Sequence, residues 1–175
     1  AKLSPSKGRG VYKRVRDSVK SVIKRLWSDF PDTPQALNGQ VYQRILALHY
    51  RQLLQEKRPL PIFEDTGFRV YSQNDEDGLL LYIFSLFGTT NRVCVDIAFP
   101  TPYGANTTNL ICNWGWTGLL IDGDADAVEK SREFFARHGD TMIYPPMLKS
   151  AWVTAENIND LIAESGFKGE IDLFS

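Results

Sequence analysis

The stretch that decides the fold runs from Arg92 to Gly123 and reads RVCVDIAFPTPYGANTTNLICNWGWTGLLIDG. Residues 93–97 form a short apolar, β-branched run with one acid near its end, which is typical of a strand buried on both faces. A loop with two prolines and a glycine follows. The next segments predict a helix over 106–113 and a second apolar strand over 118–121. Strand, helix and strand in this order predict a βαβ unit of a parallel sheet.

Two acids stand where the two predicted strands end. Asp96 lies near the end of the first strand, and Asp122 directly follows the second. Because ligands bind outside the carboxyl ends of the strands in an open parallel sheet, we expect both carboxylates at that edge. An acid roughly 20 residues past the first turn can accept hydrogen bonds from both hydroxyls of a ribose. The pair therefore predicts a nucleotide site.

Toward the C-terminus, strands and helices continue to alternate. The sequence predicts a helix over 126–137, a strand over 141–144, a helix over 154–166 and a strand that begins at 170. Asp126 and Glu129 are expected to form the capping box of the first of these helices. This alternation predicts an α/β fold, a Rossmann-like parallel sheet with flanking helices. Because the chain stops inside or just after the fourth strand, we expect it to be the N-terminal part of a longer domain.

Toward the N-terminus, two more helices are predicted. Residues 79–87 form an apolar run that Gly88 ends. The polar cluster before it either caps this helix, through Ser72 with Asp75 or Asn74 with Asp77, or turns Gln73 and Glu76 toward the ligand crevice. Residues 37–56 predict another helix, whose inward residues are Val41, Ile45, Leu48, His49 and Leu53. The linker Arg58-Pro59-Leu60-Pro61 then divides a helical arm (1–60) from the α/β domain (61–175).

The net charge of −1 conceals a basic N-terminal segment. Residues 1–27 contain nine of the twenty Lys and Arg residues and a single acid, Asp17. From Val11, apolar residues recur at helical spacing with cations on the other face, which predicts a basic amphipathic helix over 11–27. It could pack on its own domain, join a larger protein assembly, bind a membrane surface or nucleic acid, or be a remnant of organelle targeting. Tyr12 is the single aromatic residue among the cations of residues 11–26, and this is too few for a stacking surface, so nucleic acid is the disfavoured partner.

Composition excludes some classes of protein and site. No apolar run approaches the roughly 20 residues of a membrane-spanning helix. The two cysteines, Cys94 and Cys112, lack the spacing of metal ligands, and no metal site is predicted. Their expected role is that of small buried residues in a reducing, intracellular compartment, either the cytoplasm or an organelle such as the mitochondrion.

Four segments together carry a resemblance to a known family. They are YSQNDEDGLLLYIF, VCVDIAFPTPYGANTTNLICNWGWTGLLIDGDADAVEK, VTAENINDLIAESG and GEIDLFS, in this order and with these gaps. They resemble the FkbM-type branch of the S-adenosylmethionine-dependent class I methyltransferases over residues 66–175. The resemblance implies S-adenosylmethionine as the cofactor and O-methylation of a sugar or natural-product hydroxyl as the reaction.

The resemblance also implies which residues hold the cofactor. Asp96 would lie near its methionine end, Asp122 would bind the ribose, and Gly123 would let the backbone pass close to the adenosine. The other implied site residues are Gln73 in the segment that covers the cofactor, Ala98 and Thr101 in the loop after the first strand, Asn106 with Thr107 at the start of the following helix, and Ala151 or Trp152 near the adenine.

In two respects the sequence differs from the family. Where the family has a Gly-x-Gly-x-Gly loop, this chain has Ala98, Pro100 and Pro102. Each proline removes a backbone donor and fixes φ, so we expect a reshaped loop and a weaker affinity for the cofactor. In the family, the strand that begins GEIDLFS leads into an acidic segment that lines the active site, and this chain ends before it. No catalytic base is therefore assigned, and a catalytically degenerate subunit of a larger assembly stands as the alternative function.

Overall fold

The structure, a computed structural model, describes residues 34–99 and 101–175, so the predicted basic helix over 11–27 lies outside the described residues. The helices are α1 (Pro34–Gln55), α2 (Glu76–Phe87), α3 (Thr108–Trp114), α4 (Ala125–Arg137) and α5 (Ile158–Glu164), with a 3-10 turn at Phe63–Asp65. The strands are β1 (Val93–Ile97), β2 (Thr117–Asp122), β3 (Met147–Ser150) and β4 (Leu173–Phe174).

The four strands form one parallel sheet in the order β3-β2-β1-β4. The α/β class with flanking helices that the sequence predicts is confirmed. Ile97 pairs with Ile121, and Asp122 pairs with Ser150, so β1, β2 and β3 end at the same edge of the sheet. The chain moves outward from β1 to β3 and then returns to the other side of β1 for β4. The strand order therefore reverses at β1, where a sheet of this kind forms its ligand crevice.

The sheet is buried on both faces, as the apolar strands predict. On one face Cys94 and Leu120 pack with Cys112 of α3 and Phe135 of α4. The core on the other face consists of Val95, Leu119 and Ile121 packed against α5, through Ile158, Leu161 and Ile162. Both cysteines are free and buried, which agrees with the expectation that they are small core residues.

Helix α1 packs on α2 and α3 through a face that the sequence analysis did not identify. Gln43 is buried; its amide exchanges hydrogen bonds of 3.2 and 3.0 Å with the amide of Asn109 and accepts one of 2.8 Å from the indole of Trp114. Tyr50 packs edge-on against Tyr82 of α2, 4.8 Å between ring centroids. Because a glutamine fills the centre of this contact, the buried face has little hydrophobic signal.

The predicted inward face of α1 is consequently wrong for most of its residues. Val41, Ile45 and Leu48 are 53%, 58% and 62% exposed, and His49 is exposed as well. Leu53 is buried, as predicted. The proposed division of the chain after residue 60 stays a prediction, but α1, within the arm, contacts the α/β domain directly.

Two local predictions downstream are also corrected. Residues 141–144 form a turn, because the hydroxyl of Thr141 is buried and donates to the carbonyl of Phe135 at the end of α4. The third strand lies further along, at Met147–Ser150. The cap of α4 is Asp124 rather than Asp126, since its carboxylate accepts from the N–H groups of Asp126 and Ala127 at 2.9 and 3.2 Å.

Asp172 ties the start of β4 to the residues that precede β1. Its carboxylate accepts from the backbone N–H groups of Thr90, Asn91 and Arg92 at 2.8, 2.9 and 2.6 Å. Burial would raise the pKa of Asp172, but these three donors hold the pKa below its usual range. The side chain is therefore ionised in the folded protein at neutral pH.

Replacing Asp172 with asparagine is expected to lower the free energy of unfolding by about 1 kcal/mol at neutral pH, because the backbone donors lose a charged acceptor. Since the folded-state pKa is lowered, this contribution is complete above the unfolded-state pKa of about 3.9 and is lost as the pH falls through the folded-state value. Urea unfolding of both proteins at neutral pH and near pH 3 measures the effect. The difference in the free energy of unfolding between the native protein and the variant should be smaller at the lower pH. A difference that stays constant would contradict this account.

Candidate functional site

A pocket lies at the carboxyl ends of β1, β2 and β3. It has a volume of about 410 Å³. Its lining residues are Ile97, Ala98, Ile121, Asp122, Gly123, Asp124, Ala151, Trp152 and Val153. Small-molecule sites have volumes of about 300–1,000 Å³ and mostly apolar walls with a few placed polar groups, and this pocket matches that description. Five of the residues that the resemblance implies as cofactor-binding meet here: Ala98, Asp122, Gly123, Ala151 and Trp152.

Asp122 supplies a carboxylate at the end of β2. One of its oxygens, Oδ1, accepts from the N–H of Asp124 at 2.7 Å, which fixes the side chain at the pocket wall. Its second oxygen, Oδ2, takes part in no hydrogen bond among the described residues. A carboxylate held by one oxygen and open at the other is suited to accept from a ligand hydroxyl.

Gly123 is in close contact with the indole of Trp152. A Cβ atom added at Gly123 would lie 2.9 Å from Cε2 of Trp152 and 3.0 Å from Cδ2. Trp152 is nevertheless 82% exposed, so one face of its ring remains open to solvent beside the pocket. The resemblance places the adenosine next to Gly123; in the structure the close neighbour at that position is the Trp152 ring.

The backbone around Trp152 is fixed by Asn157. The amide of Asn157 donates to the carbonyl of Trp152 at 2.9 Å and accepts from the N–H of Thr154 at 2.8 Å. Because the loop is closed by these two bonds, the indole projects from a defined position at the end of β3. An exposed aromatic ring held in this way is a stacking surface for a planar ligand.

Ala98 has a left-handed backbone conformation, with φ at 60°. The resemblance assigns Ala98 to the first position of the family's Gly-x-Gly-x-Gly loop, and an alanine here keeps a conformation that glycine adopts readily. Its N–H donates to the carbonyl of Ile121 at 2.8 Å, so this donor is used within the sheet edge. The Ala98 methyl group sits at the pocket wall.

Replacing Ala98 with glycine is expected to stabilise the fold by about 0.5–1 kcal/mol. The left-handed conformation costs an L-residue roughly 1–2 kcal/mol, and the greater chain entropy of glycine offsets part of the gain. Chemical denaturation measures the change. The matched control is Ala155→Gly, because Ala155 is exposed and does not have a positive φ; that change should be neutral or destabilising. A loss of stability in Ala98→Gly would contradict the assignment of strain.

Asp96 does not share the pocket with Asp122, contrary to the expectation from the strand ends. It is buried, and its Oδ2 accepts from the N–H and the hydroxyl of Thr107 at 3.3 and 2.9 Å. Burial raises the pKa of Asp96, and the hydrogen bonds from Thr107 oppose that rise. The carboxylate therefore anchors the start of α3 to β1.

Asn106 lies on the opposite side of β1 from β2, next to β4. Its amide donates to the hydroxyl of Ser175 at 3.0 Å. Ser175 in turn continues the β4 pairing, donating from its N–H to Val95 and accepting at its carbonyl from Ile97. Asn106 thus marks the point of strand reversal, outside the pocket that Asp122 lines.

Gln73 and Thr101 are both exposed and do not line the pocket. The Gln73 carbonyl accepts from the guanidinium of Arg69, and the hydroxyl of Thr101 donates to the carbonyl of Tyr103. The segment that contains Gln73 does reach the loop after β1, because the N–H of Gly104 donates to the carbonyl of Tyr71 at 2.6 Å. The predicted contact of Gln73 and Thr101 with the cofactor is therefore not supported by this geometry.

Several apolar residues of the pocket wall were not predicted from the sequence, among them Ile97, Ile121 and Val153. Each stands within two or three residues of a strand end, and that position is the signal that could have identified them. In the part of the chain that the structure describes, no group of three or more His, Cys, Asp or Glu residues could hold a metal ion. Likewise, no helix among residues 34–99 and 101–175 combines the length and apolar character needed to cross a membrane.

Comparison of the chain with protein-family models, curated proteins and solved structures gives no match. The resemblance to methyltransferases therefore depends on the four sequence segments quoted above.

Proposed function

We propose that this chain is part of an S-adenosylmethionine-dependent methyltransferase that acts on a hydroxyl group of a small molecule, such as a sugar or natural product. The observation that carries the proposal is the pocket at the carboxyl edge of the sheet, where Asp122 offers an oxygen that bonds to none of the described residues and Trp152 offers an open ring face. The strand order β3-β2-β1-β4 supports it, since the pocket stands beside the strand reversal.

The residues of the pocket fit the nucleoside half of such a cofactor. Oδ2 of Asp122 would accept from the ribose hydroxyls, and the indole of Trp152 would stack on the adenine. Ile97, Ile121 and Val153 form an apolar wall that excludes water from the bound ligand. These roles need no rearrangement of the strands, because each residue already borders the same pocket.

The cofactor would supply a methyl group on a positively charged sulfur, and transfer to an oxygen is an in-line displacement. The contribution of the protein to such a reaction is mainly positioning and the exclusion of water. Asp96 has a positioning role in this proposal: by anchoring Thr107 it fixes the end of the loop that follows β1. We assign no catalytic base.

A second candidate function is favoured by the same loop. The N–H of Ala98 is used by Ile121, the Ala98 methyl group borders the pocket, and the Asp96 carboxylate is directed to Thr107. Each of these features removes a hydrogen-bonding group or space that the loop could otherwise provide for a ligand. The alternative is a methyltransferase fold that has lost catalysis and serves as a structural or interaction subunit.

Calorimetric titration with S-adenosylmethionine and with its demethylated product distinguishes the two functions. Binding of both compounds in the micromolar range supports the methyltransferase. Absence of binding at millimolar concentration refutes it and leaves the structural subunit. Titration of Ala98→Gly is an internal check, because removal of the methyl group at the wall should increase the affinity if the loop limits binding.

A further inference from the structure

A small pocket lies at the amino ends of β1 and β2, on the opposite edge of the sheet from Asp122. Arg92, which directly precedes β1, and Trp116, which directly precedes β2, belong to its wall. Arg51 of α1 and Trp114 at the end of α3 also line it. Its volume is about 60 Å³. Because one water molecule needs roughly 10–15 Å³ of cavity space, the pocket has room for a group of about four to six non-hydrogen atoms.

Three arginines meet at Trp114. The guanidinium carbon of Arg44 lies 5.6 Å from the centroid of the Trp114 ring. The guanidinium of Arg92 donates to the Trp114 carbonyl at 3.5 Å, and Arg51 lines the same pocket. Arg44 and Arg51 are seven residues apart on α1, about two helical turns, so their side chains leave the same side of the helix. Two segments that are distant in the sequence therefore bring cations to one place.

These cations have no acidic partner in the part of the chain that the structure describes. None of Arg44, Arg51 and Arg92 has a carboxylate oxygen within 4.0 Å there. The carboxylate of Asp172 accepts from the backbone N–H of Arg92 but lies beyond this distance from its guanidinium. Because like charges that are brought together repel each other, an anion bound among the three would stabilise the fold.

The ends of two helices account for these cations only in part. Both α2 and α3 end at the pocket, and the carbonyl groups of a helix C-terminus attract cations. Arg92 makes such a bond with Trp114, whereas the guanidiniums of Arg44 and Arg51 donate no hydrogen bond to any described residue. The hydroxyl and the N–H of Thr89, at the pocket wall, likewise donate to no described residue. Donors thus outnumber acceptors around the pocket.

We propose that this pocket binds a phosphoryl group, either free phosphate or the phosphate of a small phosphorylated molecule. A phosphate monoester carries a charge of about −1.5 to −2 at pH 7 and three acceptor oxygens. Each guanidinium offers pairs of parallel N–H donors, so guanidiniums from two segments can bond different oxygens of one phosphate. A carboxylate has two oxygens and one charge, which satisfy a single guanidinium. Since the pocket lies at the amino ends of the strands, this inference does not depend on the proposed methyltransferase activity.

Calorimetric titration of the full chain with inorganic phosphate tests the site, at constant ionic strength with chloride as the balancing anion. We expect a dissociation constant on the order of 1 mM, because the cations are exposed. Arg51→Gln and Arg92→Gln should each weaken binding about tenfold or more, since each removes charged donors. The matched control is Arg69→Gln, which removes the same charge from an exposed arginine that does not line the pocket.

Equal affinity in Arg51→Gln, Arg69→Gln and the native chain would overturn the proposal, as would the absence of binding at tens of millimolar phosphate. Acetate that binds as tightly as phosphate would overturn it in favour of a carboxylate. Glycerol phosphate separates the two sources: tighter binding than that of inorganic phosphate supports a phosphate monoester, and weaker binding supports the free ion. If urea unfolding shows that Arg51→Gln does not fold, Arg51→Lys replaces it; this variant keeps the charge but loses the planar donor pair, and unchanged affinity contradicts the proposal.

Discussion

Asp122→Asn is expected to weaken the binding of S-adenosylmethionine by about 10- to 150-fold, because a hydrogen bond to a charged acceptor contributes about 1.5–3 kcal/mol. The asparagine carbonyl can still accept from the N–H of Asp124, as Oδ1 does in the structure at 2.7 Å. The group directed at the ligand then becomes an NH₂ donor, which a ribose hydroxyl satisfies less well. The fold should be retained, so that the loss is one of affinity.

Calorimetric titration of the variant beside the native chain measures this change. The matched control is Asp126→Asn, which removes the same charge four residues away from an exposed side chain that does not line the pocket. If the two variants bind the cofactor equally well, Asp122 has no role in binding and the proposed orientation of the nucleoside is wrong.

Asp77→Ala is expected to lower the free energy of unfolding by about 3–5 kcal/mol, which is the largest effect on stability that we predict. Oδ2 of the buried Asp77 accepts from three successive backbone N–H groups, those of Val70, Tyr71 and Ser72, at 2.7, 2.7 and 2.8 Å. Alanine leaves all three donors without their acceptor, and each unsatisfied buried donor costs about 1–3 kcal/mol. The expected loss is smaller than the sum over three fully buried donors, because Val70 is exposed to solvent.

Equilibrium denaturation measures the stability of this variant. Asp75→Ala is the control, since Asp75 is exposed and makes no capping hydrogen bond at the start of α2. If Asp77→Ala does not fold, Asp77→Asn, which keeps one accepting oxygen, gives an intermediate and measurable loss. Equal stability of the Asp75 and Asp77 alanine variants would show that the carboxylate does not hold this segment.

The order of strands and helices could be predicted from the sequence, whereas the direction of individual side chains was only partly predictable. The apolar runs of β1 and β2 are continuous, so their burial leaves a clear signal. Residues 141–144 were predicted to be a strand, but they form a turn after α4, where the Thr141 hydroxyl donates to the carbonyl of Phe135, six residues earlier. The contact is local, but it joins a side chain to a backbone carbonyl, and the hydrophobic pattern of four residues does not record it.

The candidate site, too, could be predicted from the sequence only in part. Asp122 could be placed at the pocket because parallel strands end at a common edge, whereas Gly123 and Trp152 were expected there from the family resemblance. Asp96 was expected beside them, but its carboxylate is bound by Thr107 at the start of α3. Alternation along the strands does not separate the two acids, because Asp96 pairs with Leu120, which lies two residues before Asp122 on the same face of the sheet. The separation comes from the contact with Thr107, which lies eleven residues from Asp96, and the strand pattern does not record that contact.

The position of β4 has a consequence for how the chain folds during synthesis. The pairs β1–β2 and β2–β3 join residues such as Val93 with Thr117 and Leu119 with Met147, whereas β4 pairs Cys94 with Leu173 across most of the domain. Contacts between residues distant in sequence form slowly, because a long loop must close first. One edge of β1 therefore stays without its β4 neighbour until Leu173 and Phe174 have left the ribosome, and during that interval it can pair with a strand of another chain.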